Sequence, residues 1–345
     1  MLALVLPQQV VLAAGEEHGQ EPEEEEFNPG TMIVEHVVDA HEWHILTIGH
    51  THVSIPLPVI LLNNGKLDIF LSSRFHHGHS EYKGYKLVTE GENKGRIVVA
   101  ATGEMPVDFS VTKNVAAMLI SMILISIIFI SIGKRYRRHP DQPPRGLQSL
   151  LEPLIIFIRD DVARASIGEE KYEKYLPYLL TLFFFIFFNN LLGLVPIFPG
   201  GANLTGNIAV TGVMALFTFV ITTVSGNKNY WVHIFNTPGV PWWLKIPVPL
   251  MPIVEVMGVF TKPFVLMVRL FANITAGHII VLGFMSLIFI FGNMNPAIGY
   301  GVSVVSIAFA VFMSLLELLV AFIQAYVFTL LSALYFGMAT EEAHH

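Results

Sequence analysis

The sequence predicts an all-α polytopic membrane protein with about five membrane-crossing helices and a small extramembrane extension at its N-terminus. Its 345 residues are 53% hydrophobic and only 14% charged, whereas roughly 25% of the residues in a soluble domain are charged. Five apolar stretches are also long enough to cross a bilayer, which takes about 20 helical residues. The chain has no cysteine, so we expect neither a disulfide framework nor a thiolate metal site.

The first third of the chain differs in composition from the rest. Residues 1–14 have the apolar core and small-residue end of a secretory signal without the basic segment that normally precedes it, so their cleavage stays open. Residues 15–30 are acidic and predict a disordered tether. The β-type runs "HILTIGHTHVSI", "KLDIFL" and "GRIVVAA" follow, broken by Gly, Asn and Pro, and predict some strand. We therefore expect a possible signal segment, an N-terminal extension and a membrane domain at 1–14, 15–112 and 113–340.

The membrane domain contains three ordinary apolar spans and two long ones. The ordinary spans are predicted at 114–133, 175–198 and 206–225, and the long ones at 249–291 and 301–338. As continuous helices the long stretches would extend about 64 and 57 Å, about twice the thickness of a hydrocarbon core of about 30 Å. We expect both to be strongly tilted or kinked, and to offer a surface on which a large curved partner protein can pack.

The polar segments between spans predict a surface helix and an orientation. "GLQSLLEPLIIFIRDDVARA", between the first two spans, has apolar residues at helical spacing with charges opposite, which is typical of an amphipathic helix on the membrane surface. The loop "KRYRRHPDQPPR" after the first span is basic, and Lys228 and Lys245 follow the third, whereas the loops after the second and fourth spans lack Lys and Arg. The positive-inside rule then predicts an outside N-terminus and a cytoplasmic C-terminus.

Ionisable residues interrupt the first long helix on two faces. Glu255, Lys262 and Arg269 recur every seven residues and share one face, which Asn273 joins one turn further on. His278 lies nine residues past Arg269. Because each residue turns a helix by about 100°, His278 is predicted on the opposite face.

The last helix carries Glu317 and Gln324 on one face, seven residues apart. Hydrogen bonding between helices would explain Asn273 and Gln324 alone. It does not explain Arg, Glu and His together, because a charge at the bilayer centre costs at least about 2.5–3.5 kcal/mol and such groups mark ion pathways. Glu and His can exchange protons near neutral pH once burial shifts their pKa values, whereas arginine stays charged.

Several motifs resemble subunit a of the F-type ATP synthase over about residues 110–340: "PIVEVMGVFTKPFVLMVRLFAN", "RLFANITAGH", "NNLLGLVP" and "IQAYVFTLL". The resemblance implies a non-catalytic stator that passes protons to a rotating c-subunit ring through two offset half-channels. It implies a multi-pass protein of a bacterial cell inner membrane, with the c-ring, the b-subunit stalk, other ATP synthase subunits and the lipid bilayer as partners. We expect no cofactor and no nucleic acid partner.

The resemblance assigns proton translocation to six side chains: Arg269, Asn273, His278, Glu317, Gln324 and Glu255. In that family the arginine matching Arg269 faces the essential carboxylate of the ring. Many bacterial members carry Glu where this chain has His278 and His where it has Glu317. We interpret this as the same proton relay with its two members exchanged. Their positions predict that the two form a pair on the aqueous side of one half-channel.

Two other classes of function fit the sequence less well. A secondary transporter with a midplane polar site is the alternative, but that class predicts two similar halves with broken helices, and the sequence shows no such repeat. An intramembrane hydrolase needs a paired nucleophile and base, and no such pairing stands out in the spans.

Histidines concentrate near the N-terminus, where nine of 14 lie in the first 80 residues, including those of "HEWH", "HTH" and "HHGH". Such spacing could bind zinc or copper. Because no cysteine or fourth-ligand pattern accompanies them, we expect solvated or strand-edge histidines rather than a metal site.

Overall fold

The computed structural model of the chain describes residues 30, 39–48, 51–89, 91, 93–195, 200–235 and 250–341. The predicted signal segment and nearly all of the acidic tether lie outside these residues. The chain divides into two units. Of the described residues, 30, 39–113 and 281–311 belong to the first unit, and the others belong to the second.

The N-terminal extension contains seven short strands among its described residues: β1 (Glu42–Ile48), β2 (Thr51–Pro56), β3 (Pro58–Asn63), β4 (Lys66–Leu71), β5 (Tyr85–Leu87), β6 (Ile97–Val99) and β7 (Val107–Asp108). β1 pairs with β2, β5 pairs with β6, and the third sheet has the order β4-β3-β7, all antiparallel. The strand content predicted for this region is confirmed.

The turn between β3 and β4 shows how the sequence sets this fold. Asn64 and Gly65 both adopt positive φ values, 48° and 79°. Asn-Gly is the preferred pair for a two-residue hairpin turn in which both central residues have positive φ. The turn fixes the register of β3 against β4, so that Val59 lies opposite Phe70. One face of the sheet thereby packs into a small core of Val59, Leu61, Phe70, Phe75, Tyr85 and Ile97.

The membrane domain is helical: α1 (Lys113–Arg138), α2 (Leu147–Phe157), α3 (Tyr172–Leu194), α4 (Ile208–Ser225), α5 (Lys228–Phe235), α6 (Leu250–Met294) and α7 (Pro296–Thr340). Among the described residues, five helices are long and apolar enough to cross a membrane, namely α1, α3, α4, α6 and α7. The predicted fold class, an all-α polytopic membrane protein with some strand at its N-terminus, is confirmed.

The two long apolar stretches form single helices. α6 and α7 have 45 residues each, and α6 stays helical through Pro263. Each is about 68 Å long at 1.5 Å per residue, well over the thickness of a hydrocarbon core. Their strong tilt in a bilayer stays a prediction.

The second unit has one large core to which α3, α6 and α7 contribute. Its fully buried side chains include Leu179, Phe183, Ile158, Val162, Leu266, Leu270, Ala325, Ala333 and Phe336. The small residues of α7 allow close backbone approach, as is usual between membrane helices. At Gly337, an added Cβ would overlap the backbone carbonyl oxygen of Ser166.

Several helix boundaries differ from the prediction. α1 continues to Arg138 rather than to residue 133, and α7 begins at Pro296 rather than at residue 301. α3 ends at Leu194 rather than at residue 198, and Val195 is extended, with φ −83° and ψ 112°. Val195 precedes a proline, a position that disfavours helical backbone. The predicted surface helix is α2, which continues as a π-helical segment, Ile158–Arg164, and a last α-helical turn, Ala165–Ile167.

Candidate functional site

His278 of α6 and Glu317 of α7 form a close pair inside the second unit. His278 Nδ1 lies 3.3 Å from Glu317 Oε1, and the two side chains are only 19% and 11% exposed. The contact that their positions in the sequence predict is present. An acid and an imidazole in contact and largely out of water can exchange a proton with each other or with water.

Gly277 leaves space on α6 for the side chain of Glu317. A Cβ added at Gly277 would overlap Glu317 Oε1 and would lie only 3.0 Å from its Cδ and Cγ. The carboxyl group therefore occupies the space that any other residue at position 277 would fill. The absence of a side chain at Gly277 is what lets this carboxyl group reach His278.

A small polar cavity adjoins the pair, with Asn189, Asn190, Gly193, Asn203, Thr205, Asn273, His278 and Glu317 among its lining residues. It has about the room that one water molecule needs. Thr205 Oγ1 donates to Asn190 Oδ1 at 2.6 Å, and Asn190 Nδ2 donates to the Ala321 carbonyl of α7 at 3.2 Å. These bonds connect α3, the segment after it and α7 around the cavity.

Asn203 contributes a buried donor to this cavity. Its Oδ1 accepts from the backbone N–H of Gly206 at 3.0 Å. Its Nδ2 is buried and has no hydrogen-bond partner among the described residues. A buried donor without a partner costs about 1–3 kcal/mol, so this amide group has capacity left for a polar molecule in the cavity.

Arg269 is in a different environment. It is exposed, while Leu266 and Leu270 beside it are buried in the helical core at 1% exposure each. Within the part of the chain that the structure describes, no carboxylate lies within 4.0 Å of the guanidinium. Tyr335 of α7 lies within electrostatic range of Arg269, and the Nζ of Lys262 lies 5.5 Å from the centre of the Tyr335 ring.

The other predicted site residues divide between these environments. Asn273 is exposed like Arg269 but lines the cavity of the His278–Glu317 pair. Gln324 is buried on α7 at 7% exposure, and Glu255 is partly buried and interacts electrostatically with Tyr230 of α5. The structure thus gathers three of the six residues at one cavity and leaves Arg269, Gln324 and Glu255 outside its lining.

Sequence reasoning did not single out the residues that hold this cavity together. Asn190, Asn203, Thr205 and Gly277 lie on three separate segments, and their contacts appear only once the helices pack. One signal was available, since paired asparagines in the apolar run "NNLLGLVP" are costly unless they find partners.

Two of the N-terminal histidines lie within hydrogen-bonding distance of a carboxylate. His41 Nε2 lies 2.8 Å from Asp108 Oδ2, and His77 Nδ1 lies 2.9 Å from Glu42 Oε1. Among the described residues, no three His, Asp or Glu side chains gather in an arrangement that could hold a metal ion.

The fold and the site together define a polytopic membrane protein with ionisable groups inside its spans. The family described as ATP synthase A chain matches residues 115–337, and a domain of unknown function (DUF8433) matches residues 32–117. The chain belongs to the ATP synthase A chain family, that of the proton-translocating subunit of the F0 membrane sector. It is a multi-pass membrane protein that assembles with other ATP synthase subunits.

Similar proteins are known from several bacteria. The chain is 44% identical over 245 residues to ATP synthase subunit a of Chloroherpeton thalassium, which covers 69% of each chain. It is 46% identical over 244 residues to ATP synthase subunit a 2 of Prosthecochloris aestuarii, covering 69% of this chain and 71% of the relative. The subunit a of Myxococcus xanthus is 46% identical over 244 residues, with coverage of 69% and 75%.

Proposed function

We propose that this chain is the non-catalytic stator that carries protons to and from a rotating c-subunit ring through two half-channels. His278 and Glu317, with Asn273 and the cavity beside them, form the relay of one half-channel. Arg269 faces the ring carboxylate and separates this half-channel from the other, to which Glu255 belongs. The b-subunit stalk anchors the chain against rotation.

The observation that carries this proposal is the contrast between the two faces of α6. One face presents an exposed cation that cannot release its proton. The other holds a largely buried acid–imidazole pair beside a polar cavity. A proton pathway interrupted by a barrier needs both kinds of group, whereas a bundle held by polar contacts needs neither an exposed arginine nor an ionisable pair.

The physics of a rotating ring explains why the barrier is an arginine. A protonated ring carboxylate is neutral and can pass through lipid, whereas an ionised one cannot do so cheaply. Beside a permanent cation the pKa of such a carboxyl falls, so it gives up its proton there. Protons must then travel with the ring, and each charge that crosses the field contributes about 2.3 kcal/mol per 100 mV to rotation.

The proposed orientation rests on the basic loops. The segment after the first span contains five Lys and Arg between residues 134 and 145, which favours the cytoplasmic side of a bacterial inner membrane. The N-terminal extension is then periplasmic and the C-terminus cytoplasmic. Protease added to the periplasmic side of the membrane should cleave the extension, and cleavage from the cytoplasmic side alone would reverse this topology.

Replacement of Arg269 tests the function. We expect Arg269→Ala to abolish ATP-driven proton pumping in inverted vesicles while the c and b subunits still co-purify, because the ring carboxylate loses its counter-charge. Arg269→Lys should not restore pumping, since a desolvated lysine can lose its proton. Lys262→Ala, which removes a cation from the same face two turns away, is the matched control and should keep pumping. Normal pumping in either Arg269 variant would contradict the proposal.

A further inference from the structure

The N-terminal extension has an apolar surface that its own core does not use. In the β4-β3-β7 sheet, Leu62 lies opposite both Leu67 and Val107, and Ile60 lies opposite Ile69. The backbone N–H of Phe109 donates to the carbonyl of Ile60 at 2.9 Å, which extends the pairing beyond β7. Because residues opposite each other share a face, one side of the sheet is entirely apolar. We call this the apolar sheet face: Ile60, Leu62, Leu67, Ile69, Leu71, Val107 and Phe109.

Most of this face is open to solvent within the described part of the chain. Leu67, Ile69, Val107 and Phe109 are 55–61% exposed, and Leu71 is 47% exposed. The opposite side of the same sheet buries Val59, Leu61 and Phe70 against Tyr85 and Ile97. Soluble proteins expose single apolar residues commonly but contiguous apolar patches rarely. A contiguous patch of this kind therefore marks contact with a protein or a membrane.

The position of the face in the chain favours a membrane. β7 ends at Asp108 and α1 begins at Lys113, so only the four residues 109–112 join the sheet to the start of a membrane span. Such a segment reaches at most about 14 Å when fully extended. The headgroup region on each side of a bilayer is about 5–8 Å thick. The sheet is therefore tethered within reach of the lipid surface.

The chemistry of the face fits the same occupant. Its seven side chains carry no charge and no hydrogen-bonding group, so it offers shape and apolar area without the polar contacts that fix a specific protein partner. The apolar face of an interfacial amphipathic helix is buried about 5–10 Å into the boundary between headgroups and acyl chains, and an apolar sheet face at the same level would meet the same boundary. Phe109, an aromatic side chain that is 61% exposed, is the member of the face nearest in sequence to α1.

We propose that the apolar sheet face rests in the bilayer surface on the side where α1 begins. The sheet of the domain of unknown function is thereby a monotopic anchor, which lies in one surface of the membrane without crossing it. This inference does not depend on the proposed proton pathway.

Site-directed spin labelling of the full chain in a bilayer tests this proposal, and the absence of natural cysteines allows single labels directly. One nitroxide is attached at Ile69→Cys on the apolar sheet face. The control is Asn93→Cys, an exposed position between β5 and β6, whose strands pack on the opposite side of the sheet. Collision with oxygen, which concentrates in lipid, is compared with collision with a water-soluble nickel chelate.

Contact with lipid makes oxygen the more frequent collision partner at residue 69 and the nickel chelate the more frequent one at residue 93. A label at Leu71→Cys should give the same result as the label at Ile69→Cys. Agreement between the two positions shows that the result is not caused by one label disturbing the sheet locally. A label at residue 69 that meets the nickel chelate as freely as the control overturns the proposal. A label shielded from both reagents also overturns it, because protein from a partner or from another segment of this chain then covers the face.

Discussion

Glu317 in the membrane domain and Asp68 in the N-terminal extension are both carboxylates that the fold removes from water beside basic side chains, but their partners differ. Glu317 Oε1 lies 3.3 Å from the imidazole of His278. Asp68, 4% exposed, lies 3.2 Å from the Nζ of Lys83 and 3.6 Å from that of Lys66, and accepts a hydrogen bond from Tyr85 at 3.3 Å. The partner of Glu317 is an imidazole, whereas the partners of Asp68 are two ammonium groups and a phenol.

The proposed relay gives the two carboxylates different roles, because Glu317 is proposed to exchange protons whereas Asp68 holds its charge. Burial opposes ionisation of Asp68, but the hydrogen bond and charge of Lys83, together with Lys66 and Tyr85, hold its pKa below the ordinary value. An ammonium group stays protonated throughout the physiological range, so this cluster is structural. An imidazole can both accept and donate a proton, which is what the relay proposed for the pair in the membrane domain requires.

Gly277 offers the sharpest way to separate the position of Glu317 from the stability of the domain. We expect Gly277→Ala to displace the carboxylate, because the new Cβ overlaps it. A displacement of about 1 Å can cost on the order of 100-fold in rate, so proton pumping should fall steeply. The protein should stay assembled, since the end of a flexible side chain moves at low cost.

The matched control is Gly258→Ala on the same helix, where an added Cβ meets no atom within 4 Å. Its pumping rate should equal that of the unmodified chain. Equal pumping rates in the two variants would mean that proton transport does not depend on the exact position of the Glu317 carboxylate.

A smaller effect is expected at the wall of the cavity. Thr205→Val removes the donor to Asn190 Oδ1 and leaves that oxygen buried without its partner, which costs about 1–3 kcal/mol. The temperature of half-inactivation of pumping should fall. Thr181→Val is the control, because its hydroxyl is exposed and bonds the Pro177 carbonyl of its own helix. Such a change is expected to alter stability by no more than about 0.5 kcal/mol. An unchanged temperature in Thr205→Val would show that the cavity wall tolerates the loss.

The smallest expected effect is on the stability of the N-terminal extension at acidic pH. Because the folded pKa of Asp68 lies below its unfolded value of about 3.9, its contribution is present above about pH 4 and is lost as the pH falls through the folded pKa. Lys83→Met raises the folded pKa, so the extension should become sensitive to pepsin at a higher pH than in the unmodified chain. Lys86→Met, which removes a cation outside the Asp68 cluster, should leave the onset unchanged. If pepsin begins to cleave both variants at the same pH, Lys83 does not lower the pKa of Asp68.

Helical spacing predicted the arrangement of α6 because one periodicity governs the whole helix. It placed Arg269 and His278 on opposite faces, and the structure has the first exposed and the second largely buried against α7. The strand "KLDIFL" is β4, with Asp68 and Phe70 directed inward as alternation requires. Apolar length alone identified the five spans.

The features that the sequence did not predict depend on contacts between distant parts of the chain. The Asn190–Ala321 hydrogen bond joins residues 131 apart in sequence, and the fit of Gly277 to Glu317 depends on how α6 meets α7. A hydrophobic pattern predicts which face of a helix is buried, but it does not predict which atoms of two helices come into contact. Neither the hydrogen bond nor the fit at Gly277 could therefore be predicted from it. The π-helical segment was missed for a related reason, since its apolar residues also suit an ordinary helix.

The most direct test of a proton relay is the exchange of its two members. His278→Ala and Glu317→Ala should each slow ATP-driven proton pumping strongly, because a buried ionisable group loses its partner, whereas Asp68→Asn should leave the rate unchanged. The double exchange, His278→Glu with Glu317→His, restores one acid and one imidazole and should recover part of the rate, with a coupling of about 0.5–3 kcal/mol in a double-mutant cycle. Additive losses without recovery in the exchanged variant would contradict the account, because the two residues would then act separately.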